Sequence, residues 1–328
     1  MKGMKTFMEK LIVSSSPHVH TNETVSNIML DVLIALMPAC VAGVLFFGIR
    51  SAVVIITAVA ACMASEWIFE KATHKQTTLS DLSAAVTGVI LGMNMPVGIP
   101  LWMVVIGSAF AIVVVKQFYG GLGKNFLNPA LAGRCFMVIA WAGAMTTFTP
   151  AAFSGVDAIS SATPLAIMKS GAQGAMPSLA QAFIGAKSGC IGETSGICLI
   201  IGFIYLLIRR VVSCRIPVAF VLSLAALTYV FGNPGEMSQG YYTIMQILTG
   251  GLLFGALFMA TDYVTTPTTK WGQIIFGIGC GVLTFVIRKF GGYPEGVSFA
   301  ILLMNVASPL IETATKPKAF GTEGGRSK

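Results

Sequence analysis

Charged side chains are scarce in this sequence. Asp, Glu, Lys and Arg make up 10% of its 328 residues, whereas 55% of the residues are hydrophobic. Soluble domains are about one quarter charged, so these charges are too few to cover a globule of this size. Apolar runs of membrane-spanning length recur along nearly the whole chain. The sequence therefore predicts an integral membrane protein.

The sequence also lacks several patterns that carry redox or nucleotide chemistry. Its seven cysteines show no C-x-x-C spacing, so buried inert thiols are a better interpretation than iron–sulfur or zinc ligands. It shows no glycine pattern of the dinucleotide-binding type. The net charge of +8 comes from short segments between apolar runs, with no basic stripe interleaved with aromatic residues. Nucleic acid is therefore not a predicted partner.

Ten membrane spans are predicted from the apolar runs, and Gly and Pro interrupt several of them. No cleavable signal peptide is predicted, because residues 1–27 are polar and the first apolar run is a full span. An even number of spans places both termini on one side of the membrane. The predicted spans lie near residues 28–48, 51–70, 81–97, 99–118, 129–148, 189–208, 214–232, 242–260, 271–288 and 295–313.

The distribution of Lys and Arg predicts which side that is. With the termini in the cytoplasm, fifteen of these residues fall in cytoplasmic segments and five in external ones, and Arg134 falls within a span. This excess matches the positive-inside rule. The sequence thus predicts a cytoplasmic leader (1–27), a first membrane repeat (28–148), an extracytoplasmic loop (149–188), a second repeat (189–313) and a cytoplasmic tail (314–328).

The two membrane segments also resemble each other. Residues 87–92 are echoed by 249–255, and residues 116–121 by 288–292. Each echo leads into a segment broken by Gly and Pro. Because five spans per half is an odd number, the second half must be inverted in the membrane. The predicted fold is an all-α polytopic membrane protein of two inverted five-helix repeats.

One external segment carries a helix-capping pattern. Thr163 is a good N-cap residue, and Pro164 suits the first position of a helix. From spacing alone, the segment from Asp157 to Leu165 is interpreted as a structural helix start.

The segment from Gly123 to Arg134 allows two interpretations. A phosphate-binding P-loop is rejected because Asn125 stands where Ser or Thr is required. Asn125 and Asn128, beside Pro129, suit a broken helix whose side-chain amides satisfy freed backbone groups. They equally suit a polar binding pocket near the cytoplasmic face.

Five ionisable residues lie in or near predicted spans, where charge is costly and often functional. Asp31, Arg134 and Asp262 are the better candidates for pairing or for a cation path. Glu66 and Glu193 lie close to predicted span ends, where we expect them to reach water.

The residues before Pro164 also resemble a known modification motif. Ser160 to Thr163 is similar to the S/T-G-A-T flavinylation motif of the membrane subunits of the Rnf complex and of the sodium-pumping NADH:quinone reductase. The resemblance implies that a flavin transferase esterifies the Thr163 hydroxyl with FMN, and that Asp157, Ser160 and Ala162 complete the motif. Ser161 departs from the pattern, in which Gly is usual.

Further stretches resemble the D subunit of Rnf across nearly the whole chain, namely residues 16–18, 28–38, 123–130 and 293–300. This resemblance implies a bacterial inner-membrane subunit of a redox-driven ion translocase, a ferredoxin:NAD⁺ oxidoreductase. Its partners would be the other Rnf subunits, which bind ferredoxin and NAD and carry further flavin. It also implies a second, non-covalent riboflavin in the polar pocket of Asn125 and Asn128.

Two alternatives stay open from the sequence. The B subunit of the sodium-pumping quinone reductase belongs to the same family, but the polar leader of this chain is short, which favours the D subunit. A channel or carrier for a small solute fits inverted repeats with broken helices equally well. The sequence does not select between Na⁺ and H⁺.

Overall fold

The computed structural model describes residues 24–151, 162–170, 176–235 and 237–317, and helices dominate these residues. We number the α-helices in chain order, α1 to α14. Their bounds are Val25–Phe47, Ile49–Ala72, Ser83–Met93, Leu101–Ala109, Pro129–Ala140, Ala142–Thr146, Pro164–Ser170, Leu179–Ile184, Gly196–Ile208, Arg215–Phe231, Gln239–Leu248, Leu252–Phe254, Lys270–Phe290 and Val297–Thr315.

The predicted multi-pass membrane fold is confirmed, although the helices are unequal in length. Each of the ten predicted spans contains a helix. Within the described ranges, only α1, α2, α13 and α14 are single helices long and apolar enough to cross a bilayer. The pair α11 and α12 forms a fifth span if it is counted as one bent element. The other five predicted spans contain shorter apolar helices.

Two helices continue into wider π-helical turns. The helix α4 runs on as Phe110–Gln117, and α12 runs on as Gly255–Met259. Such turns are rare in proteins, but those that occur often lie at functional sites. They rotate the side chains that follow them relative to a regular α-helix. The first of them ends on two buried polar residues, Lys116 and Gln117.

Three predicted span boundaries are wrong, each for a local backbone reason. The predicted span 189–208 begins with a 3₁₀ turn, Ile191–Glu193, and its α-helix starts only at Gly196. In the predicted span 81–97 the helix ends at Met93, shortly before Pro96. The predicted span 129–148 is divided at Trp141, whose backbone leaves the helical region.

The predicted span 242–260 is bent by 57° between α11 and α12. Gly250 and Gly251 join the two helices with φ angles of +68° and +67°. Glycine adopts this left-handed conformation readily, whereas other residues do so at a cost. A Cβ atom added to Gly251 would lie 2.6 Å from Oε1 of Glu193. The bend therefore requires glycine for conformation and for space.

The two halves of the chain pack through corresponding helices. The first helix of one half, α1, packs on the first helix of the other, α9, and the fifth helices α5 and α14 also pack together. Large apolar side chains such as Leu91 and Phe254 are fully buried in the interior, while Ile49 and Leu310 are about three-quarters exposed on the outside. An apolar exterior around a packed interior suits lipid as the solvent. The inverted relation of the repeats stays a prediction.

Replacing Gly251 by Ala should destabilise the fold. A left-handed conformation costs a residue with a Cβ about 1–2 kcal/mol, and the crowding against Glu193 adds to that cost. Gly240 in α11 is the matched control, since nothing lies within 4 Å of an added Cβ and Ala is favoured in helices. We expect a lower midpoint of thermal unfolding in detergent for Gly251→Ala and an equal or higher one for Gly240→Ala. Equal midpoints for both variants would contradict this explanation of the bend.

Candidate functional site

Thr163 immediately precedes the short helix α7 and caps it. Its Oγ accepts a hydrogen bond from the backbone N–H of Ala166 (3.2 Å), and its carbonyl accepts one from Ile167 (3.0 Å). Pro164 occupies the first helical position. The predicted cap is thus confirmed. Thr163 itself is buried, with 6% of its surface exposed.

The Thr163 side chain lines a cavity of about 230 Å³, here called the α7 cavity. Three further parts of the chain complete it: α5, the segment 145–148 and the connection from α13 to α14. Three aromatic rings, those of Phe148, Tyr293 and Phe299, contribute to its lining. Ala162 also lines the cavity, whereas Asp157 and Ser160 lie outside the described residues.

A buried ion cluster forms one wall of the α7 cavity. Arg134 on α5 is paired with Glu295 and lies 3.7 Å from the Glu193 carboxylate. Its guanidinium also donates to Ser298 Oγ and contacts Cys190 Sγ. Arg134 comes from the first half of the chain and the other four residues from the second, so the cluster ties the halves together beside Thr163.

The lining fits the ring system of a flavin better than a whole flavin nucleotide. Pockets that enclose drug-sized ligands measure about 300–1,000 Å³, and the α7 cavity is smaller. Its aromatic side chains suit a flat aromatic ring. The hydrogen bond that Thr163 Oγ makes to Ala166 uses a lone pair of the oxygen and not its proton. Esterification of this hydroxyl would therefore leave the cap bond possible.

Lys169 fastens the other end of α7. Its ammonium group donates to the carbonyls of Gly291 and Tyr293, so α7 is joined to the connection that closes the cavity. Partial burial lowers the pKa of the Lys169 ammonium.

A second cavity lies between the two halves and contains the predicted polar pocket. Asn125, Asn128 and Asp262 all line it, but its volume is only about 90 Å³, which is room for about three water molecules. Asn128 caps α5 by accepting from Ala130 and Leu131, and Asn125 donates to the carbonyl of Leu127. The broken-helix interpretation of both residues is therefore confirmed. Riboflavin at this place stays a prediction, and its binding would require the pocket to widen.

The three residues predicted for an ion path lie in three different networks. Asp31 accepts from the Tyr205 hydroxyl (2.8 Å) and from Nε of Arg209 (3.1 Å). Asp262 accepts from the Thr265 hydroxyl (3.1 Å) in its own turn. Arg134 belongs to the ion cluster beside the α7 cavity. Their joint role in cation transport stays a prediction.

The expectation that Glu66 reaches water is wrong. Its side chain is fully buried on α2, where Lys116 Nζ lies 2.6 Å and Gln117 Nε2 2.7 Å from one carboxylate oxygen. Lys116 also donates to Ser83 Oγ (2.6 Å) at the start of α3. The π-helical turn at the end of α4 carries both partners to Glu66. Lys116 lies in the repeated stretch 116–121. This repetition was the feature of the sequence that could have indicated the pair of Lys116 and Glu66.

Glu193 was also expected to reach water, and this expectation is wrong. Its side chain is buried and belongs to the ion cluster around Arg134. Sequence reasoning also missed Arg288, the counterpart of Lys116 in the repeat. Arg288 is buried and donates to the carbonyls of Gln246, Thr249 and Gly250. These carbonyls are left without helical partners by the bend between α11 and α12, so Arg288 satisfies them.

Comparison with known proteins finds relatives that are named as subunits of ion-translocating complexes. The NQR2, RnfD, RnfE family matches residues 12–321. The D subunit of the Na⁺-translocating ferredoxin:NAD⁺ oxidoreductase complex of Acetobacterium woodii is 44% identical over 95% of each chain. The D subunit of the proton-translocating ferredoxin:NAD⁺ oxidoreductase complex of Clostridium ljungdahlii is 46% identical, over 94% of this chain and 96% of the relative. The D subunit of an ion-translocating oxidoreductase complex of Cronobacter sakazakii is 34% identical, over 94% and 98%.

Neutralising Arg134 alone should lower the stability of the fold more than neutralising Arg134 and Glu295 together. Removing one partner of a buried ion pair leaves an uncompensated charge and costs about 3–5 kcal/mol. We expect Arg134→Gln to lower the thermal midpoint of the purified protein, and the added substitution Glu295→Gln to restore part of it. A double variant that is less stable by the sum of both single effects would show that the two residues are not coupled.

Proposed function

This chain belongs to the NQR2, RnfD, RnfE family, and from this premise we propose that it is the D subunit of an ion-translocating ferredoxin:NAD⁺ oxidoreductase. In this role it relays electrons across the membrane domain and couples their transfer to cation movement. Two relatives that match it almost end to end carry that function in their names. Ferredoxin and NAD⁺ are handled by partner subunits.

The observation that carries the proposal is the position of Thr163 in the α7 cavity. Thr163 lines a pocket with aromatic walls, and its cap bond tolerates an ester at the hydroxyl oxygen. We assign FMN to this hydroxyl as a phosphoester, attached by a flavin transferase. Asp157, Ser160 and Ala162 are assigned to recognition by that transferase.

An FMN bound here would transfer electrons one or two at a time. The chain itself supplies the tether, the aromatic walls and a fixed electrostatic environment. Arg134 presents a positive charge at the cavity wall, and Glu295 balances it. A covalent tether retains the cofactor at a site that faces out of the cell.

Overall sequence similarity to the relatives does not identify the transported cation. One relative at 44% identity is named for Na⁺ and one at 46% for protons. Coupling of electron transfer to cation transport requires a membrane element with two conformations. The arrival of an electron must favour one of these conformations over the other. Asp31, Arg134 and Asp262 remain the proposed cation-path residues, and riboflavin between the halves remains the proposed second flavin.

A solute carrier is the second candidate, and the bend between α11 and α12 is the observation that favours it. Broken helices in carriers expose backbone groups to their substrate. Here Arg288 and Lys187 instead bond the carbonyls at the end of α11. Because these carbonyls are already occupied by the protein, the electron relay is the better account. The B-type subunit of the sodium-pumping quinone reductase would be distinguished by the subunits that co-purify.

Covalent flavin should depend on the Thr163 hydroxyl. In cells that contain the flavin transferase, we expect the denatured wild-type band to fluoresce in a gel, because an ester survives denaturation. Thr163→Ala should lose the fluorescence and Thr163→Ser should keep at least part of it.

Thr147→Ala is the matched control, since this nearby threonine is exposed and should not affect labelling. A fluorescent Thr163→Ala band, or a dark wild-type band with the transferase present, would count against the relay and for the carrier.

The predicted topology is tested by the accessibility of cysteines in intact cells. A Gly171→Cys substitution in the loop 149–188 should react with an impermeant maleimide from outside. The native thiol of Cys214 is exposed but lies at a predicted cytoplasmic position, so it should react only after lysis. Labelling in the opposite order would reverse the assignment of sides.

A further inference from the structure

Three of the five basic residues predicted outside the cell converge on one cavity. Lys169 on α7 and Arg288 and Lys289 at the end of α13 line a space of about 310 Å³, here called the basic cavity. It borders a different face of α7 from the α7 cavity: Ala166 lines the α7 cavity, whereas Leu165 and Met168 line the basic one. The two cavities are neighbours that share Pro294 in their linings, but their basic residues differ.

The positive charges of the basic cavity are only partly balanced by the protein. Each cation donates to carbonyls at the end of a different helix: Lys289 at the end of α10, Arg288 at α11 and Lys169 beyond α13. A helix C-terminus carries roughly half a negative charge, so three helix ends offset about half of the three full charges.

Carboxylates do not make up the difference. Among the described residues that line the basic cavity there is no Asp or Glu. Glu193 and Glu295 lie near enough to act on Arg288 electrostatically, but both form their ion pairs with Arg134. The Nε of Arg288 is buried and has no hydrogen-bond partner among the described residues. The cavity thus has spare positive charge, and one of the guanidinium groups beside it has an unused donor.

The surroundings of the basic cavity indicate where an anion would come from. It opens at the ends of α10 and α13, both predicted at the external membrane surface. Val230, Phe231 and Phe290, beside it, are more than half exposed, and aromatic residues at this level contact the lipid interface. An anionic headgroup could enter the cavity while its acyl chains cover these apolar side chains.

From this geometry we propose that the basic cavity binds the phosphate group of an anionic phospholipid. Asn233 and Tyr242 also line it and supply neutral polar groups for a headgroup. Basic pockets between membrane helices hold such lipids at the cytoplasmic or matrix face, and the same charge attraction acts at the external face. The bound lipid fastens α7 to the ends of α10 and α13, and this role is independent of the proposed flavin.

The proposal is tested by lipid binding to the assembled complex after delipidation in detergent. Native mass spectrometry would measure binding of phosphatidylglycerol and of phosphatidylcholine. The test variant carries Lys169→Gln and Lys289→Gln together, which removes two exposed charges and leaves the buried Arg288 in place. Arg50→Gln is the matched control, because Arg50 is predicted on the same face but bonds the carbonyls of Val97 and Ile99.

We expect wild type and Arg50→Gln to prefer phosphatidylglycerol, and the double variant to bind it about 10- to 30-fold more weakly. Equal binding of phosphatidylglycerol by the double variant would overturn the proposal. A parallel thermal-shift titration with inorganic phosphate distinguishes the two sources of phosphate. If phosphate stabilises wild type but not the double variant, while all forms bind the lipid alike, the site belongs to a free anion and the assignment to lipid is wrong.

Discussion

The buried guanidinium of Arg134 determines how the two halves of this protein meet beside Thr163. A guanidinium within a membrane domain must be balanced, since an unpaired buried charge costs several kcal/mol. Its partners Glu193, Glu295 and Ser298 all come from the second half of the chain. Balancing Arg134 therefore brings α5, the 3₁₀ turn and the start of α14 together. The wall that results lines the α7 cavity together with Thr163.

The same solution recurs at two other irregular segments. Lys116, carried on a π-helical turn, is balanced by Glu66, and Arg288 satisfies the carbonyls that the bend at Gly250 leaves free. Non-helical backbone is tolerated at membrane depth only where protein or a water-filled cavity satisfies its polar groups. Buried cations at repeated positions thus permit the broken segments that shape the cavities. The sites proposed for flavin and for lipid both adjoin such segments.

The sequence predicted the fold to the extent that apolar runs report helices. Every run contains a helix, and the cap formed by Thr163 and Pro164 follows from local preferences alone. The sequence predicted that Gly and Pro interrupt several spans, but hydropathy did not locate the bend at Gly251, because it does not register backbone conformation. Nor could the sequence place Arg134 against Glu295, since the two lie 161 positions apart in the chain. Glu66 was misassigned to water because its nearness to a span end hid a partner supplied by another helix.

The central claim is that a flavin is bonded to the hydroxyl of Thr163 at the edge of the α7 cavity. Mass spectrometry of the peptide containing Thr163, from complex purified out of its own active membranes, tests it most directly. We expect this peptide to carry one FMN, joined through its phosphate to the Thr163 oxygen. An unmodified Thr163 peptide from complex that still transfers electrons from ferredoxin to NAD⁺ would contradict it.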